Sequence, residues 1–192
     1  MKLKIVGIGG AGRNMINALL DDGLEPEIAV YLDTDINAVP AYKGENFVRL
    51  GERGIGTGSN PLIGLEAATL YKERIIEMIC QADMVVIIAG LAGGLGGGAI
   101  NFIVDLLLNT GVTKVVAYVT TPAEIEGAKR KMQADSALAN LRQVMDKENI
   151  HVIATVKSNP ARMYELTDKL VANEVMKLLK KTEIKQKSLS GK

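Results

Sequence analysis

The sequence predicts a doubly wound α/β fold, a mainly parallel sheet with helices on both faces. Three observations carry that prediction. Short β-branched runs alternate with longer amphipathic ones along the chain, which is the pattern of strand–helix–strand crossovers. The short runs are continuously apolar, as in strands buried on both faces. Glycine-rich stretches follow three of them and precede a helical segment, where a chain turns tightly or lets another group come close.

In chain order, Leu3 to Ile8 reads as a first strand and runs into Gly7-Ile8-Gly9-Gly10-Ala11-Gly12. Met15, Ile16, Leu19 and Leu20 then recur at helical spacing, and Gly23 is a stop signal. Ile28 to Leu32 is a second strand, followed by Asp33-Thr34-Asp35 and a loop. Asn46 to Leu50 is a third, short strand. Gly54-Ile55-Gly56-Thr57-Gly58-Ser59 leads to Asn60-Pro61, an N-cap with proline at the first helical position. Leu65, Ala68, Ile75, Ile76 and Ile79 predict one stripe on a single long helix. Asp83 to Ala89 is a fourth strand. The segment around Ile100 to Leu108 is a helix, and Val112 to Val119 a fifth strand. Residues 128–147 predict a helix with Met132, Ala134, Leu138 and Leu141 inward. Ile150 to Val156 is a sixth strand and Met163 to Leu179 a last helix. One domain over 1–180 and a frayed tail over 181–192 are expected.

Composition narrows the function. A net charge of +1 argues against a polyanion partner such as nucleic acid. The absence of Trp, with two Phe and five Tyr, argues against a base-stacking platform. One cysteine, Cys80, fits a reducing, cytoplasmic compartment. No apolar segment reaches the ~20 residues that span a membrane. His151 and Cys80 have no ligand-spaced neighbours, so an edge or packed histidine and a core cysteine are expected, and no metal site is read from the side chains.

The stretch Ala89-Gly90-Leu91-Ala92-Gly93-Gly94-Leu95-Gly96-Gly97-Gly98 dominates the chemistry. A strand-to-helix turn of this kind presents backbone N–H groups at the positive end of a helix dipole. Its glycine density favours a phosphate cradle over a plain turn or a close helix–sheet contact. A side chain at Gly96 would then occupy phosphate space. The first cluster alone fits GxGxxG, with Asp33 near the acidic offset of ~20 residues, so an NAD(P)- or flavin-binding oxidoreductase is a rival reading. Asp33 and Asp35 stand equally well as cofactor-orienting acids or loop caps. Several loops converging on one sheet edge suit a mononucleotide polyphosphate better. GxxxxGK[ST] is absent and neither glycine cluster holds a Lys, so amides, dipoles and a metal ion must hold the charge.

These motifs, in this order, resemble the FtsZ/tubulin family. GIGGAGRN resembles its first glycine loop, and Leu32-Asp33-Thr34-Asp35 its Asn-Thr-Asp, with Asp33 in the Asn place. Gly54 to Pro61 with Gly64 resembles GxGxGxNPxxG. Ala92 to Gly98 resembles the signature GGGTGTG, with Leu95 and Gly97 in place of both threonines. The run TPAEIEGAKRKM is similar to an FtsZ run.

The resemblance implies a Rossmann-like tubulin/FtsZ N-terminal domain that binds GTP or GDP, with Mg²⁺ held through the phosphates. Carried over, Gly9, Gly10, Ala11, Gly12, Asn14 and Asp33 line the nucleotide. Gly93, Gly94, Leu95, Gly96 and Gly97 wrap the phosphates. Glu126 and Arg130 face the ribose. Asn173 and Glu174 stand at an Asn-Asp pair whose acid reads guanine, and Lys169 stands where an aromatic stacks on the base. The family's water-activating acids lie in a second domain that this sequence lacks. The resemblance therefore implies weak or partner-dependent hydrolysis, no catalytic residue of its own, and a role as filament component or regulator. The partners it implies are guanine nucleotide, another copy of the chain, or a longer FtsZ-like homologue. A scaffold that holds nucleotide without turnover is the remaining alternative.

Overall fold

A computed structural model describes residues 1–37, 46–52 and 54–190. The loop expected after Asp35 falls largely on 38–45, outside the described residues, as do Arg53 and residues 191–192. The strands are β1 Leu3–Ile8, β2 Ala29–Asp33, β3 Phe47–Arg49, β4 Met84–Gly90, β5 Lys114–Thr121 and β6 Ile150–Ala154. The helices are α1 Gly9–Asp21, α2 Pro61–Leu70, α3 Lys72–Ile79, α4 Gly94–Asn109, α5 Ala128–Val144 and α6 Met163–Ser190. The strands form one sheet in the order β3-β2-β1-β4-β5-β6. Every neighbouring pair is parallel, so the doubly wound expectation holds.

A parallel sheet must be covered on both faces, and alternate residues of its strands supply two cores. Val6, Ile8, Val85 and Ile87 pack with Ala68, Ile75, Ile79, Ile100 and Leu141 from α2 to α5. Ile5, Tyr31, Val86 and Ile88 pack with Met15, Ile16 and Leu19 of α1 and Val171, Ala172 and Val175 of α6. α1 ends where expected: Gly23 takes φ 92°, and the Gly23 and Leu24 amides donate to the Leu20 and Leu19 carbonyls at 3.1 and 2.9 Å. That geometry closes a helix on glycine.

Several expectations need correction. The single long helix is two, broken at Tyr71 with φ −110° and ψ 22°. On α2 the buried face is Gly64, Ala67 and Ala68, while Leu62 is 75% exposed and Leu65 is also exposed. Small residues face inward there because α2 and α4 meet backbone to backbone. A Cβ on Gly64 would stand 2.8 Å from Leu95 Cα, and one on Gly98 would stand 2.7 Å from the Pro61 carbonyl carbon. Met132 of α5 is 71% exposed, and Ala134, Ala137, Leu138 and Leu141 carry that helix's buried face. α6 continues past Leu179 through Ser190, where a tail was expected. Cys80 is half-buried, with Sγ 2.8 Å from Thr110 Oγ1. His151 lies exposed on edge strand β6, stacked on Tyr118 with ring centroids 4.4 Å apart.

Candidate functional site

Parallel strands bring all their C-terminal ends to one edge of the sheet. The strand order reverses between β1 and β4, and the helices that leave these strands go to opposite faces. A crevice opens between them, the usual ligand position in open α/β sheets. Here it is a cleft of about 280 Å³. Its floor is Gly9, Gly10 and Ala11 from α1, with Gly93, Gly94, Leu95 and Gly96 at the start of α4. Its walls are Asp33 at the end of β2, Thr34 and Asp35 after it, Gly56, Thr57 and Ser59 before α2, and Arg13.

Both glycine clusters are helical from Gly9 and from Gly94 onward, so they are first turns rather than loops. Neither start has a side-chain cap, the flanking residues being Ile8 and Gly93. The first N–H groups of a helix lack intrahelical partners, and the residues at both starts line the cleft. α2 begins at the same edge and differs: Asn60 Oδ1 accepts the Leu62 amide at 3.0 Å. The expected cap is in place.

The glycines divide into two groups. Gly9 has φ 68°, a backbone that side chains resist. Around Gly10 a Cβ would meet only Arg13 Nη2, at 3.9 Å. Gly12, Gly94, Gly96, Gly97 and Gly98 are pressed against neighbouring backbone or side chains. A Cβ on Gly12 would lie 2.7 Å from the Ile88 carbonyl oxygen. On Gly96 it would overlap the Gly90 carbonyl oxygen, and on Gly97 that of Leu91. The expectation that Gly96 is bare chiefly to admit phosphate is therefore corrected: close helix–strand contact already forbids a side chain there.

Asp33 is 5% exposed. Its Oδ1 accepts the Thr34 and Asp35 amides at 2.7 and 3.2 Å, and Asp35 Oδ1 accepts the Asn37 amide at 2.9 Å. Both carboxylates thus cap the turn after β2 and also wall the cleft. Of the other sequence-predicted residues, Gly12 and Gly97 are buried beneath the cleft floor. Asn14 is exposed, its Oδ1 accepting Arg13 Nε at 3.0 Å. Glu126 and Arg130 pair with each other at 2.8 Å, and Glu126 Oε1 accepts the Ala123 amide at 2.8 Å. Burial, then a hydrogen bond to Glu126, raises the Tyr164 phenol above its ordinary pKa. Asn173 is exposed on α6, and Glu174 pairs with Lys177 at 2.7 Å. None of these lines the cleft.

Arg13, Thr34, Thr57, Ser59 and Gly90 line the cleft and were not in the expected set. The Gly54-to-Ser59 loop was the available signal for Thr57 and Ser59. Larger hollows of about 730 and 630 Å³ lie beside Lys2 to Lys4 and beside Thr121 to Gly127. The first is at the opposite sheet edge, and the second is lined by the start of α5 and by Met163, the first residue of α6. Among the described residues no group of three or more His, Cys, Asp or Glu side chains could hold a metal ion. No helix among them is long and apolar enough to cross a membrane.

The model of the Tubulin/FtsZ family, GTPase domain, matches residues 2–152. The chain belongs to the Tubulin/FtsZ family. It is 37% identical over 146 residues to the cell division protein FtsZ of Mycoplasmopsis pulmonis, an alignment covering 75% of this chain and 37% of that protein. Its fold superposes on an FtsZ dimer structure from M. jannaschii with TM-score 0.82 and 33% identity, covering 91% of this chain and 53% of that one. CetZ2 from Haloferax volcanii, described as a GTPγS-bound protofilament, shares the fold at TM-score 0.81 and 20% identity, over 93% of this chain and 58% of that one. The chain thus spans about half the length of these FtsZ and CetZ structures and 37% of the curated relative.

Proposed function

We propose that this chain is a guanine-nucleotide-binding domain of the Tubulin/FtsZ family whose nucleotide phosphates sit at the β1–β4 crevice. The observation that carries the reading is the convergence of two uncapped helix starts, α1 and α4, on one cleft. Their amides and dipoles suit an anion. The family match supports GTP or GDP as the nucleotide over NAD. Thr34, Thr57 and Ser59 are hydroxyls positioned to orient it, in place of the signature threonines replaced by Leu95 and Gly97. Asp33 and Asp35 are the carboxylates at hand to help hold a Mg²⁺ ion bound through the phosphates, which would shield their charge.

Attack on a γ-phosphate needs an oriented water and stabilisation of spreading charge. The acids of the cleft are engaged as turn caps, so hydrolysis depends on groups supplied from outside it. Self-association or docking to a longer FtsZ-like homologue would provide them. The single cysteine supports a cytoplasmic setting.

Calorimetry and thermal melting with GTP, GDP, ATP and NAD(H), each with Mg²⁺, test the reading. GTP and GDP are expected to bind and to raise Tm by mass action. Binding of NAD(H) without GTP or GDP would overturn it in favour of an oxidoreductase.

A further inference from the structure

We infer that Arg13 is a side-chain cation of the cleft and grips the phosphates of the bound nucleotide. The inference rests on the nucleotide reading above and extends it to a residue outside the expected set. Asp33 and Asp35 put two carboxylates in the wall, and among the described lining residues Arg13 alone carries positive charge. Two helix starts offer roughly half a charge each. That is less than the charge a polyphosphate carries, so a side-chain cation beside the amides has charge left to neutralise even with a metal ion present.

Arg13 is placed to do so. Side chains on a helix lean toward its N-terminus, so an arginine on the second turn of α1 reaches back over the first. Its Nη2 stands 3.9 Å from where a Gly10 Cβ would be, beside the uncapped amides. Its Nε donates to Asn14 Oδ1 at 3.0 Å, which orients the guanidinium. The planar fork matches phosphate oxygens in pairs, which an ammonium cannot do.

The acid that faces Arg13 across the α1–α6 contact is Asp168. Burial pushes its carboxyl up to about 7, against the opposing pull of Arg13. Near neutral pH it is therefore a partial counter-ion, and Arg13 keeps charge to give to a ligand.

The test is calorimetry of the full chain with GTP and with guanosine, in Mg²⁺ buffer, on wild type, Arg13→Gln, Arg13→Lys and Asp168→Asn. Arg13→Gln is expected to weaken GTP binding ~10-fold or more, as loss of a charge-assisted bidentate contact should. It should leave guanosine within about twofold, because guanosine has no phosphate for the fork. Arg13→Lys should fall between, and Asp168→Asn should bind GTP at least as well as wild type. GTP affinity of wild type should fall more steeply with NaCl than that of Arg13→Gln. If wild type binds and both Arg13 variants bind GTP equally well, the role of Arg13 is overturned while the nucleotide reading stands. Equal losses for GTP and guanosine would overturn it too, placing the arm on base or sugar. A wild type that binds no guanine nucleotide removes the nucleotide reading and this inference with it.

Discussion

Three helices begin at the same edge of the sheet behind glycine-rich sequence, and they begin differently. α2 starts on Asn60, whose side chain accepts an amide, with Pro61 at its first position. α1 and α4 start on Ile8 and Gly93, with no side chain turned back on their amides. Density of glycine therefore does not separate a phosphate cradle from a packing device. The state of the helix start does: a capped end has its donor partnered, whereas an uncapped one at a cleft still offers it.

The sharpest way to break this contrast is to add a side chain to a glycine of each kind. Gly12→Val drives carbon into the Ile88 carbonyl and should cost about 3 kcal/mol or more, or prevent folding. Urea unfolding or soluble yield measures it, and near wild-type stability would show that α1 can lift off the sheet. Gly10→Ala should do the reverse. Nothing but the far end of Arg13 stands near its Cβ, so stability should hold or rise by about 0.5–1 kcal/mol. Nucleotide affinity should fall ~10-fold, about 1.4 kcal/mol, because the methyl group intrudes where phosphate approaches the amides. Fluorescent-nucleotide titration checks that half.

The contact between α1 and α6 also carries a pH signature. The folded Asp168 carboxyl, at about 7, lies above its ordinary 3.8, so the folded state holds the proton more tightly. The resulting stability is complete below the ordinary value and is lost as pH rises through about 7. Asp168→Asn should therefore gain on wild type as pH goes from 4 to 8, read as Tm against pH. Parallel curves would mean that the carboxyl is hydrated. The smallest effect belongs to the capped helix: Asn60→Ala should cost about 1 kcal/mol in urea unfolding and leave nucleotide affinity unchanged. A matching loss of affinity would show that the cap also holds Thr57 and Ser59 in place.

The strand edges were legible wherever a continuous β-branched run decided them, and β1 matches its expected limits. The helix starts were read late because glycine disfavours helix. Close contact with the strand ends overrides that preference at Gly12, Gly96 and Gly97. The buried face of α2 was misread for a related reason. Hydrophobic spacing points to large side chains, whereas contact between two backbones selects Gly64, Ala67 and Ala68. At the site, Gly9 to Ala11, Asp33 and Gly93 to Gly96 followed from glycine chemistry and strand ends. The Gly54-to-Ser59 loop was the one signal for Thr57 and Ser59, whose approach to Gly94 of α4 comes through a long crossover. Arg13 follows the first glycine cluster in the sequence, and only the backward lean of a helical side chain brings it to the cleft. Glu126, Arg130, Asn173 and Glu174 rested on family resemblance, and each of the two acids is paired with a nearby cation on its own element or turn.

The packing of α1 against α6 sets an order of events during synthesis. Met15, Ile16 and Leu19 share a core with Val171, Ala172, Val175 and Leu179. Ribosomes add about 5–20 residues per second. The interval between completing Asp21 and beginning Met163 is thus on the order of 7–28 s. For that time the first helix to leave the ribosome has one apolar side without its partner. The five parallel strand pairings meanwhile close slowly across long crossovers. The nascent chain is therefore exposed to chaperones and to sticky neighbours through α1, and the emergence of α6 ends that exposure.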